Sequence, residues 1–130
     1  MQLSKFTDYA FRALIYLGKN NESNLTIDIL AKNLDISIHH LKKIINKLAK
    51  TEYIISIKGR NGGLKLGLSP KDINLGEVLK LTEENLNLVE CMGDTGICPL
   101  FCGCKLKGAI SNSLNAFIEE MSSYTLEDIL

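Results

Sequence analysis

Four cysteines, Cys91, Cys98, Cys102 and Cys104, fall within fourteen consecutive positions of a 130-residue chain. Six residues separate the first pair, three the second and one the last, so no Cys-x-x-Cys occurs. Thiolates are soft ligands and good nucleophiles, which leaves three chemistries open for such a group. Cys98 and Cys102 have the separation of a ligand pair in a tetrahedral zinc site. Lys105 and Lys107 lie beside the thiols, where cations favour the reactive thiolate and hence a disulfide switch. A glycine-rich loop presenting thiolates near hydrogen-bond donors equally suits an iron-sulfur cluster. Apart from these thiols the chain holds no acid-base or nucleophile constellation, and an enzyme is not the expectation.

A second set of residues suits a polyanion. His39, His40, Lys42, Lys43, Asn46, Lys47 and Lys50 follow Ser37-Ile38 in a stretch whose apolar positions, Leu41, Ile44, Ile45 and Leu48, recur at helical spacing. Lys58-Gly59-Arg60-Asn61-Gly62-Gly63 then forms a cationic turn between two alternating apolar segments. The chain is neutral as a whole, yet residues 1–68 carry a net charge of +6 and residues 69–130 a net charge of −6. The N-terminal half is therefore the half that can attract a polyanion.

These residues need elements to position them. Thr7 is expected to cap a first helix beginning at Asp8 and ending near Gly18, with a hydrophobic staple between Phe6 and Phe11. Thr26 and Ser37 mark two further helix starts, and only Leu34, Asp35 and Ile36 separate those helices. So tight a joint between short helices is a helix-turn-helix. The segments Tyr53 to Ile57 and Leu64 to Leu68 predict a β-hairpin, with Asn61-Gly62, two residues that tolerate positive φ, as a strong turn signal in the basic run between them, which makes that run a wing. Asn74 starts a short fourth helix, residues 83–103 lack any period, and a helix of about five turns runs from Lys105 to Met121. The apolar stripe of that last helix is too wide for a lone surface helix, so it packs either against its copy in a homodimer or wholly within one chain. The expectation is a mainly α fold with a small β-hairpin. It comprises a winged helix-turn-helix at 1–82, a cysteine-rich loop at 83–104 and a dimerisation helix with its tail at 105–130, all in one compact domain. Neither a membrane-length apolar run nor a cleavable signal pattern is visible, which gives a cytoplasmic expectation without membrane contact.

In a helix-turn-helix the start of the second helix meets base edges, while lysines and wing groups meet phosphates. Ile38, His39, His40, Lys42, Lys43, Asn46 and Lys47 are assigned to the major groove and its flanks. Lys58, Arg60 and Asn61 belong to the wing, with Arg60 suited to a narrow minor groove.

The strings Met1 to Tyr9 and Arg12 to Tyr16, Lys43-Ile44-Ile45-Asn46, Gly59 to Gly63, Leu88 to Cys91, Cys104 to Lys107 and Tyr124-Thr125-Leu126 span the whole chain. On these motifs the sequence resembles the Rrf-type family of cluster-binding transcriptional repressors, and within it the nitric-oxide-sensing branch. The resemblance implies a homodimeric DNA-binding repressor of nitrosative-stress genes, with an iron-sulfur cluster, 4Fe-4S before 2Fe-2S, held by Cys91, Cys98 and Cys104. It further implies Asp8 of the partner subunit as fourth ligand, with Arg12 beside it. Cys102 lies outside the family pattern. No histidine follows His40, which speaks against the branch with a histidine ligand. A sensor of iron or cluster supply, or a zinc or thiol switch, is the alternative within regulators. An electron carrier is the alternative outside them, and a wing would be of no use to it.

Overall fold

Ser4, and not Thr7, caps the first helix. In a computed structural model that describes residues 1–93 and 98–130, α1 spans Lys5–Lys19 and the Ser4 hydroxyl accepts from the Thr7 backbone N–H at 3.2 Å. Thr7 is fully buried at the third helical position, where its own oxygen accepts from the Ser4 hydroxyl. The shift of frame puts Phe6 and Phe11 inside the helix, both packed on the core, so the expected staple does not form. Ala10, Ala13, Leu14 and Leu17 make the buried stripe.

The next helices begin where their capping residues predict. In α2, Ile27–Leu34, Thr26 accepts from the Ile29 N–H, and in α3, Ile38–Ala49, Ser37 accepts from the His40 N–H. Asp35 takes the left-handed conformation that ends α2 and turns the chain into α3. Strands β1, Ile54–Ile57, and β2, Gly63–Leu66, pair antiparallel with Ile54 opposite Leu66 and Ile57 opposite Gly63. A bridge from Leu25 to Leu64 fastens this hairpin to the segment before α2. The hairpin turns within the expected Lys58 to Gly63 run. Positive φ falls at Gly59 (109°) and Gly63 (157°), not at Asn61 or Gly62, and Gly62 donates to the Gly59 carbonyl within the expected connection.

Helix α4, Leu75–Thr82, is capped by Asn74, and α5 runs Lys105–Ser122. A 3-10 turn, Glu90–Met92, lies within the stretch expected to be loop, and two more occur at Pro70–Asp72 and Glu127–Ile129. The tail returns to the body: Leu126 donates to the Ile73 carbonyl and is fully buried. One apolar cluster joins α1, α2, α3, the hairpin, α4 and Leu126. Each fully buried leucine there contributes roughly 1.5–3 kcal/mol over an exposed one. No helix among the described residues is long and apolar enough to cross a membrane.

Candidate nucleic-acid interface and cysteine site

Helix α3 is held from behind by α1, α2 and β1, and its inner stripe of Leu41, Ile44, Ile45 and Leu48 is buried. That packing turns Ile38, His39, His40, Lys42, Lys43 and Asn46 outward, all exposed. No acidic residue sits in the first turn, so the positive end of the helix dipole is left to favour an anion. Lys47 departs from this set: it is half-buried, with its ammonium 5.5 Å from the centre of the Phe6 ring on α1. Its contact with α1 is a property of the packing and had no signal in the local sequence. Lys58, Arg60 and Asn61 are exposed at the tip of the hairpin. A groove between the recognition helix and the wing is lined by Asn46, Ala49, Ser56 and Gly59, among others.

The second group of residues lies at the ends of α1 and α5. Asp8, in the first turn of α1, takes two contacts from Arg12 one turn on: Nη2 to Oδ2 at 2.7 Å and Nε to Oδ1 at 3.2 Å. The Arg12 guanidinium also lies 5.6 Å from the centre of the Tyr9 ring. Both groups line an open groove with Leu3, Lys5, Leu34 and Asp35.

Cys91 sits in the Glu90–Met92 turn, which packs against α5, and Cys104 is the cap residue of α5. Cys104 makes no side-chain capping bond, and the first turn of α5 holds no acid, so that helix end favours a negative group. The Cys98 carbonyl accepts from the Phe101 N–H, and Phe101 in turn lies under the Lys107 ammonium at 4.6 Å. All four thiols are free. Cys91, Cys98 and Cys104 are half-buried, whereas Cys102 is exposed.

Among the described residues of one chain no three His, Cys, Asp or Glu side chains come together as a metal-binding group. Asp8 thus joins no pair of cysteines within the chain among the described residues. Sequence reasoning also missed Glu83, whose carboxylate accepts from the Ser4 N–H at 2.6 Å. Seventy-nine positions separate the two, and no local pattern announces the pair.

A buried-backed helix with a cationic outer face, preceded by a short helix and followed by a basic hairpin, is a winged helix-turn-helix of the DNA-binding kind. The model of the Rrf2 family, described as an iron-dependent transcriptional regulator, matches residues 3–130. The chain belongs to this family of transcriptional regulators. It is 42% identical over 132 residues to the HTH-type transcriptional regulator NsrR of Bacillus licheniformis, covering all of this chain and 92% of that one. With the regulator of the same name from Geobacillus kaustophilus the identity is 45%, over all of this chain and 90% of the relative. Among solved structures, T. potens IscR superposes with a TM-score of 0.80 at 22% identity, covering 99% of this chain and 85% of that one, which establishes the shared fold.

Proposed function

We propose that this regulator is a homodimeric repressor whose grip on DNA is set by an iron-sulfur cluster responsive to nitric oxide. The observation that carries the reading is that one helix, α1, presents Asp8 at its exposed first turn while packing its other side against the recognition helix α3. Whatever holds Asp8 therefore bears on the helix that reads DNA.

The donor set fits such a cluster. Three half-buried free thiols, Cys91, Cys98 and Cys104, offer soft ligands, and Asp8 of the partner subunit completes a four-ligand set. Four ligands serve a 4Fe-4S or a 2Fe-2S centre alike, and the 4Fe-4S reading rests on the family resemblance. Cys102, exposed, stays outside the set. When bound, the cluster supplies iron with which nitric oxide reacts. The rest belongs to the chain. The uncapped end of α5 and Lys105 balance negative charge at Cys104, and Arg12 orients the Asp8 carboxylate and takes both of its oxygens when it is not a ligand. Through α1 the position of Asp8 sets how the two α3 helices face half-sites about 34–36 Å apart. Exposed apolar groups on α5, with Leu106 65% exposed, support the second subunit.

Native mass spectrometry of anaerobically purified protein, with and without nitric oxide, tests the reading. A dimer with one cluster per subunit that takes up nitric oxide and then releases duplex DNA is the expected result. A metal-free or zinc-bound species with unchanged DNA binding would overturn it.

A further inference from the structure

We infer that Ile38 reads the 5-methyl group of a thymine in the major groove; this rests on the reading of α3 as the recognition helix. Ile38 is the first residue of α3, held there by the Ser37 cap, and is 41% exposed. It stands outside the apolar cluster that takes in Leu41, Ile44, Ile45 and Leu48 of the same helix. Local structure gives no reason for it, because a β-branched residue in a helix is disfavoured and the cap needs no apolar neighbour. The exposed Ile55 and Ile57 of the wing differ, since a strand favours β-branched residues.

Position selects the occupant. The N-terminal end of a recognition helix is the part that reaches base edges, and His39, His40, Lys42 and Lys43 around Ile38 are all polar or cationic. Such a surface enters the groove for its charge, which carries the aliphatic side chain in with it. Of the base edges shown in the major groove, only thymine offers an apolar group, its C5 methyl. Cytosine, adenine and guanine present donors or acceptors there, and an isoleucine laid against them strips their water without replacing it. Ile38 thus selects thymine both by contact and by exclusion.

The test starts from the full-length protein, purified anaerobically, selecting duplexes from a random pool. Each thymine of the winning duplex is then replaced by deoxyuridine, which removes the methyl and keeps every hydrogen-bonding group. At one symmetric pair of positions the replacement weakens binding about fourfold per methyl, and so roughly sixteenfold for both half-sites. Ile38→Ala binds the thymine and deoxyuridine duplexes alike at that pair, while Ile38→Val keeps part of the preference. Binding by the unaltered protein that is indifferent to every deoxyuridine, or a full preference retained in Ile38→Ala, overturns the inference and leaves DNA recognition standing. A pool in which no sequence is enriched overturns both.

Discussion

The backbone N–H of Ser4 donates to the carboxylate of Glu83 at 2.6 Å, joining the cap of α1 to the point where α4 ends and the cysteine segment begins. The same Ser4 caps α1 through its hydroxyl, so one residue orients the turn that carries Asp8. Glu83→Ala is expected to cost about 0.5–1.5 kcal/mol, and Ser4→Ala about 1 kcal/mol. Thermal unfolding followed by circular dichroism checks both, as a fall in Tm of roughly 2–6 °C. An unchanged Tm in Glu83→Ala would show that the bond contributes nothing.

Asp8 and Arg12 form an exposed pair, and pairs of that kind stabilise by only about 0.3–0.5 kcal/mol on a helix. Asp8→Ala should therefore melt within about 2 °C of the parent. Its effect is expected in regulation: DNA release on adding nitric oxide, read by fluorescence anisotropy, becomes weak or absent. Full release in Asp8→Ala would remove Asp8 from the mechanism.

Cys102 differs from its neighbours in exposure, and so in what its loss does. Cys102→Ser is expected to keep the iron content and visible absorption of the anaerobic protein. Cys91→Ser, Cys98→Ser and Cys104→Ser each lose both. Iron loss in Cys102→Ser together with iron retention in Cys98→Ser would exchange their roles.

The cations of α3 and the wing are proposed to meet phosphates, and on that reading their removal shows in the salt dependence. Lys43→Ala and Arg60→Ala should each lower the slope of log K against log salt by about 1. Lys47→Ala should change it less, because that ammonium is committed to Phe6. Equal slopes for all three variants would mean that Lys47 swings out to the DNA.

Asp128 accepts from the Thr125 N–H at 2.7 Å and from its hydroxyl at 2.8 Å, and these bonds hold its carboxyl below the ordinary carboxylate range. A pKa lowered by folding adds stability that is present above the unfolded pKa and is lost as pH falls through the folded one. The Tm gap between the parent and Asp128→Asn should thus be constant near neutral pH and close on acidification. A gap that widens with acid would reverse the sign.

Much of this architecture was legible because its signals are local. Thr26, Ser37 and Asn74 each accept from the backbone N–H three residues on, as capping residues do, and the apolar periods of α3 and α5 set their extents. The failures have a common cause. Ser4 and Thr7 are both good caps, and only the burial of Thr7 against the core decides between them. Asn61-Gly62 does mark the hairpin, but the residues that take positive φ there, Gly59 and Gly63, are not fixed by that pair. Lys47 lies off the inner stripe of its own helix and is claimed by a ring on another. Of the site, the thiols and the cationic face were visible as residue types. Arg12 beside Asp8, like the expected ligand role of Asp8, came from family resemblance, and the four-residue spacing only made their ion pair geometrically open.

Helix α5 contains eighteen residues, none fully buried within one chain. Helices of that length draw most of their stability in water from what they pack against. Where a second copy provides that packing, the melting temperature of this regulator rises with its own concentration. Cys104 stands at the start of α5, so on the proposed reading thinning the protein would fray the helix end that carries one of the proposed cluster ligands. On that same reading, cellular abundance would tune the fraction of cluster-loaded regulator, giving the gene that encodes it a control over sensitivity that requires no change in any residue.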